Sequence, residues 1–190
     1  MAQPDVNSLL PGLAAGKPES FALLVGQLGD RLYRTARRLV DTPADADDVV
    51  QETFAALVRS RTALAAVRDL EAYLFTTLRR AAAKCRGQKG PITLRLDSIA
   101  ELADETKHQP ETQGNKTSER DVQEQFDRLN WAVQTLPEEQ REVLTLKFDA
   151  ELTLAQIATV LGISSNTAAS RYRYALEKLR KLLHARNANE

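Results

Sequence analysis

Between positions 166 and 174 the chain gathers Asn166, Thr167, Ser170, Arg171, Arg173 and Tyr174. These side-chain types read nucleic acid. Arg pairs in bidentate fashion with guanine and Asn with adenine, while Ser, Thr and Tyr hydroxyls suit phosphates. At helical spacing Asn166, Ser170 and Arg173 share one side, with Thr167, Arg171 and Tyr174 beside them. Ala168, Tyr172, Ala175, Leu176, Leu179 and Leu183 fall on the other side and are expected to pack inward. Ala168 and Ala169 leave room for the start of such a helix to approach a groove. Lys178, Arg180 and Lys181 lie beyond its first turns and would reach phosphates at most.

Two further clusters carry charge. Arg79, Arg80, Lys84 and Arg86 crowd a segment, 79–89, that contains no acid, and Tyr73 and Phe75 precede them. Basic side chains beside aromatics suit melted DNA, through phosphate attraction and base stacking. The competing reading makes both aromatics core and the charges solubilising. Asp45, Asp48 and Glu52 stand at i, i+3, i+7, with Gln51 on the same general side. They form an acidic face, although acids in a first helical turn are favoured by the helix dipole in any case.

Nothing in the sequence assembles a catalytic centre. The two histidines, His108 and His184, lie far apart. Cys85 falls on an apolar stripe and reads as core, and no Gly-rich phosphate loop or metal-ligand spacing occurs. No enzymatic activity, cofactor or metal is expected.

The elements that position these residues are helical. Thr153-Leu154-Ala155-Gln156 reads as a capping box, followed by Leu154, Ile157, Ala158 and Leu161 at i, i+3, i+4, i+7. Gly162-Ile163-Ser164 makes a turn, and a long helix runs from about Ser165 to Leu183. Helix, tight turn and longer helix are the spacing of a helix-turn-helix, whose second helix enters the major groove. Upstream, one helix holds Phe126, Leu129, Trp131 and Val133, and Pro137 opens another with Val143, Leu144 and Leu146. In the first half, Pro18 opens a helix with Phe21, Leu24, Val25 and Leu28 on one face, and a second spans Asp30 to Val40. Thr42-Pro43-Ala44-Asp45 starts a third, with Ala46, Val50, Thr53, Phe54 and Leu57 inward. A fourth runs from about Asp69 to Arg86 on a stripe of Leu70, Leu74, Leu78, Ala81 and Cys85, ended by Gly87 and Gly90-Pro91.

The expected fold is therefore all-α: an N-terminal helical bundle and a C-terminal helix-turn-helix domain joined by a flexible acidic linker. The divisions fall at 1–16 (tail), 17–90, 91–121 (linker), 122–185 and 186–190 (tail). Within the linker, 94–102 could form one short helix. Charge supports the division. The chain of 190 residues balances 26 basic against 26 acidic side chains. Yet 91–125 holds eight acids and four bases, whereas 171–186 holds six bases and one acid, Glu177. A single cysteine, no secretory signal and no apolar run of membrane-spanning length point to a cytoplasmic protein without membrane insertion.

Three segments, taken in order, resemble the extracytoplasmic-function (ECF) class of bacterial RNA polymerase sigma factors. Asp45-Ala46-Asp47-Asp48-Val49-Val50-Gln51-Glu52-Thr53-Phe54 resembles that family's polymerase-binding motif. Leu136-Pro137-Glu138-Glu139-Gln140-Arg141-Glu142-Val143-Leu144 is similar to the opening of its fourth conserved region, and Thr153 to Leu182 to its helix-turn-helix. The resemblance covers about 17–89 and 122–183. It implies that Asp45, Asp48, Gln51 and Glu52 dock on core RNA polymerase. It implies that Tyr73, Arg79, Arg80, Lys84 and Arg86, with the loop at about 59–68, melt and hold the minus-10 promoter element. Asn166, Thr167, Ser170, Arg171, Arg173 and Tyr174 would read the minus-35 element as duplex, and the linker would thread toward the polymerase cleft. Members of the class are commonly held by an anti-sigma protein, which makes one a candidate partner here. There are departures: Tyr73 replaces a Trp, Arg80 an Asn, Lys84 an Asp, and Tyr172 and Tyr174 the usual Leu and Arg. Two other readings stay open: a helix-turn-helix regulator that acts without polymerase, and an adaptor that keeps the fold but has lost promoter activity.

Overall fold

A computed structural model describes residues 5–87 and 128–187. The linker at 91–121, its short 94–102 segment, Phe126 and His108 lie outside the described residues. Those described are helical, without strands, and form two small domains.

The N-terminal domain is built from α1 (Leu10–Ala14), α2 (Pro18–Leu39), α3 (Pro43–Arg59) and α4 (Leu70–Gly87), with 3-10 turns at Val6–Leu9 and Arg61–Ala66. Two helices were expected between 18 and 40, and the structure has one. Leu24, Leu28, Leu32 and Ala36 are fully buried at strict i, i+4 spacing, so the apolar stripe passes Asp30 without a change of phase. Packing along that stripe outweighs the helix-start signal at Asp30. Thr42 caps α3 as expected, accepting from the Asp45 amide at 3.0 Å. The buried face of α3 is Ala46, Val49, Thr53 and Leu57, while Val50 and Phe54 are only half-buried. In α4 Leu70, Leu74 and Leu78 are buried as expected, joined by Ala72, Phe75, Ala82 and Arg86, and Ala81 and Cys85 sit at the edge.

The segment before Pro18, set aside from the sequence as a tail, is helical from Val6 to Ala14. Leu13 is fully buried and Leu9 nearly so. Asn7 also accepts the Leu70 amide at 2.9 Å, and Asp69 accepts the Ala72 amide at 2.9 Å, so two side chains cap the start of α4.

The C-terminal domain comprises α5 (helical over 128–134), α6 (Glu138–Phe148), α7 (Leu154–Leu161) and α8 (Ser165–Asn187). The capping box is formed: Thr153 Oγ1 accepts the Gln156 amide at 3.2 Å, and Gln156 Oε1 accepts the Thr153 amide at 2.9 Å. Gly162 ends α7 at φ +67°, the left-handed conformation that glycine adopts without strain. Ala168 and Ala175 of α8 are fully buried, but Leu176, expected inward, is 37% exposed. It borders an apolar groove of about 400 Å³ with Leu129, Val133, Leu144, Phe148 and Leu179.

The two domains share packing. Val143, Leu146, Ala150, Leu152, Ile157 and Val160 belong to one buried cluster with the leucines of α2 and α4. Helix α7 lies against α4.

Candidate nucleic-acid surfaces and an acidic docking face

Ser164 positions the start of α8: its Oγ accepts the Thr167 amide at 3.0 Å and lies 2.8 Å from the Thr167 hydroxyl. With Ala168 buried against the rest of the helix-turn-helix, the first turns of α8 turn Asn166 and Arg173 to solvent. Thr167, Ser170 and Arg171 are half-buried, and Tyr174 is 53% exposed. Ser170 donates back to the Asn166 carbonyl at 2.9 Å, a bond within its own helix. Arg173 sits over the Tyr174 ring at 5.3 Å, which stiffens two neighbouring side chains. Arg171 Nη2 pairs with Glu139 at 2.8 Å, so α6 fixes the direction of that guanidinium. Farther along, Lys181 holds the Glu177 carboxyl below its ordinary pKa by a hydrogen bond and by charge. The cationic stretch is therefore broken by one ionised acid, as the sequence showed.

On α4, Arg80 and Lys84 are exposed. Arg79 is half-exposed and donates to Glu142 at 2.6 Å. Tyr73 is half-buried, with its hydroxyl 2.6 Å from that of Ser60. Phe75 is core, 1% exposed, beneath the Arg31 guanidinium at 5.8 Å. Arg86 departs from the expected basic face. It is 7% exposed and donates to the Leu39 carbonyl at 3.0 Å, where α2 ends, with Asp41 at 3.9 Å. The reason is rotational: two residues turn a helix by about 200°, so Lys84 and Arg86 point to opposite sides.

On α3, Asp48, Gln51 and Glu52 are exposed. Asp45 is half-buried and engaged, accepting from Thr42 Oγ1 at 2.8 Å and from Cys85 Sγ at 3.6 Å. Glu52 pairs with Arg59 at 2.7 Å. Asp48, Gln51, Glu52, Lys84 and Cys85 line an open depression of about 480 Å³. The acidic face of α3 thus meets the basic edge of α4 at one rim, a juxtaposition that the two helices' separate sequences do not reveal.

Sequence reasoning passed over Arg31, Arg34 and Arg38, which stand at i, i+3, i+7 on α2, and Glu139 and Glu142 on α6. That spacing was readable as a basic stripe; its partners, Glu71 at 40 positions and the 149–151 turn at more than a hundred, were not. Among the described residues no group of three metal-ligating side chains occurs, and no helix is long and apolar enough to cross a membrane.

Residues 24–88 match the family described as sigma-70 region 2, and residues 132–181 match sigma-70 region 4. The chain is 30% identical over 175 residues to the ECF RNA polymerase sigma factor SigL of Mycobacterium tuberculosis, covering 90% of this chain and 93% of that one. It is 29% identical over 172 residues to the RNA polymerase sigma-E factor of Streptomyces coelicolor, covering 90% of each. Among solved structures it is similar to CnrH in complex with the cytosolic domain of CnrY. There the TM-score is 0.63 at 26% identity, over 95% of this chain and 99% of that one. The fold is also that of the sigma factor RpoE in complex with the anti-sigma factor NepR from Bartonella quintana. That match has a TM-score of 0.59 at 22% identity, over 87% of this chain and 98% of that one.

Proposed function

Since the chain belongs to the ECF class of the sigma-70 family and is a promoter-directing sigma factor, we propose how its surfaces divide that work. Asp48, Gln51 and Glu52, exposed along α3, dock on core RNA polymerase, with Asp45 orienting the start of the helix. Arg80 and Lys84, joined by Arg79 and Tyr73, hold melted minus-10 DNA. Arg86 supports α4 from inside. Asn166, Arg171, Arg173 and Tyr174 read minus-35 DNA in the major groove, with Thr167 and Ser170 at its backbone. The observation that carries this reading is the first half of α8: a capped helix start behind the Gly162 turn, small residues buried and long polar ones exposed.

The protein performs no reaction of its own in this reading and needs no cofactor. Polymerase supplies the chemistry, and the cytoplasm, where polymerase works, is its place. As with CnrH and RpoE, whose solved structures hold CnrY and NepR, we propose an anti-sigma partner. The exposed apolar groove beside Leu176 offers an amphipathic helix a place to dock. A regulator acting without polymerase would leave the region 2 match idle.

Run-off transcription with core polymerase and a pool of genomic promoter fragments tests the reading. Discrete transcripts that require the protein, and that vanish with Asp48→Lys, are expected. Promoter binding that needs no polymerase and survives Asp48→Lys would favour the simple regulator.

A further inference from the structure

The loop at 60–69 joins the end of α3 to the start of α4, and the sigma-factor reading places it at melted minus-10 DNA. Between Arg61 and Asp69 only Leu64 is buried, while Arg61, Thr62, Ala63, Ala65, Ala66 and Arg68 are exposed. So short a segment with one buried side chain holds its shape weakly by itself. Its order depends on what it rests against.

Residues 5–16, ahead of the region 2 match, supply that support. Helix α1 packs along the 3-10 turn at Arg61–Ala66. Leu13 and Leu64 are both buried in the same core. Where the loop passes into α4, Asn7 Oδ1 accepts the Leu70 amide at 2.9 Å. Asn7 is itself held, since its amide and its Nδ2 donate to Asp5 Oδ1 at 3.0 and 3.2 Å. At the other end Gly16, at φ +72°, lets the Arg61 guanidinium come close: a Cβ there would stand 3.1 Å from Arg61 Nη1. From the α3 side, Ser60 Oγ donates to the Ala56 carbonyl at 2.7 Å and lies 2.6 Å from the Tyr73 hydroxyl. With its own hydrogen spent on Ala56, Ser60 accepts from Tyr73, which ties that ring to the same loop.

We propose that residues 5–16 are a positioning element for promoter opening. Through Asn7 at Leu70, and through α1 against the Arg61–Ala66 turn, they hold the 60–69 loop in the shape that receives the unpaired strand. The proposal rests on the sigma-factor reading for the identity of the DNA. Its physical basis is preorganisation. Arg61 and Arg68 attract phosphates, and the small side chains between them admit a strand closely. A loop that becomes ordered as DNA arrives spends part of the binding free energy on that ordering, and a loop already braced spends less. Asn7 is thus a positioning residue, acting through the loop without touching DNA.

The test uses the full chain bound to core polymerase. The probe is a single-stranded oligonucleotide with the non-template minus-10 sequence of a promoter recovered by run-off transcription. Asn7→Ala removes the acceptor at Leu70. Asn7→Asp keeps an oxygen there and adds a charge that a helix start favours. Asn7→Ala is expected to speed hydrogen exchange at the 61–70 amides by about five-fold. It is expected to weaken oligonucleotide binding by about two- to five-fold. Asn7→Asp is expected to restore both. Affinity for core polymerase and protection of duplex minus-35 DNA are expected to match the wild type in both variants. Leu13→Ala, studied well below its own melting temperature, is expected to loosen the same amides through the α1 contact. Unchanged exchange at 61–70 in Asn7→Ala overturns the brace. Faster exchange with undiminished oligonucleotide binding overturns its part in opening. An equal loss of core-polymerase affinity also overturns it, because the segment would then support the whole domain and not the loop. If the wild type itself does not bind core polymerase, the sigma-factor reading fails, and the exchange measurement still decides the brace.

Discussion

Arg80 and Arg86 stand on the same helix, and replacing each with alanine separates DNA contact from structural support. Arg86 is buried and donates to the carbonyl of Leu39. Removing it leaves that helix-end carbonyl without this donor in a place water scarcely reaches, at a cost of about 1–3 kcal/mol. The buried aliphatic stem of the side chain adds to the loss. Together these give about 2–4 kcal/mol, a fall in melting temperature of roughly 5–10 °C for a chain of this size. Arg80 is exposed, so Arg80→Ala should change stability by less than about 0.5 kcal/mol. Its effect belongs to DNA: weaker fork-junction binding by the holoenzyme, with the salt dependence reduced by about one counterion. Calorimetry on both variants and fluorescence anisotropy across a salt series measure the two outcomes. The reasoning fails if Arg86→Ala melts like the wild type while losing DNA affinity, because Arg86 would then be a DNA ligand after all.

Other substitutions probe the remaining assignments. Asp48→Lys reverses an exposed charge on α3. It should abolish capture by core polymerase in a pull-down without lowering the melting temperature. Arg173→Ala should lose about 1–3 kcal/mol of minus-35 discrimination, seen by footprinting with point-substituted promoters. Leu13→Ala, at a fully buried position ahead of the region 2 match, should cost about 2–4 kcal/mol in thermal or urea unfolding. An unchanged midpoint would show that the segment before Pro18 is not part of the domain.

Much of this was legible because its causes are local. The Thr42 cap, the Thr153–Gln156 box and the Gly162 turn each involve residues within four positions, and each forms as read. The buried side of α8 at Ala168 and Ala175, and the exposed one at Asn166 and Arg173, follow from periodicity alone. What went unread depends on distant partners. A start signal at Asp30 is local and true to type, yet the stripe from Leu24 to Ala36 keeps α2 whole, since the neighbours of that stripe are set by the fold. Arg86 reads as one more base in a basic run until the end of α2 is seen to need a donor. Leu176 reads as core until the groove around it is found open. Val6 to Ala14 is too short to announce itself by period, and it is held by what lies elsewhere: the capped start of α4 and the pocket that receives Leu13.

The same limit bears most on which charges stand free. Charge counting gives a neutral protein with basic patches, and read that way Arg79 is one of several free cations facing DNA. In the structure Arg79 is matched to Glu142, and Arg171 to Glu139, three residues apart on the first turns of α6. One pair lies within the C-terminal domain and travels with it; the other crosses between domains and is lost when they part. On the proposed assignments the first orients Arg171 whether or not DNA is present, whereas the second exists only while α6 lies against α4. Two ion pairs of similar length are thus expected to respond differently when DNA binds, and which is which follows from the domain each partner belongs to, not from distance or charge.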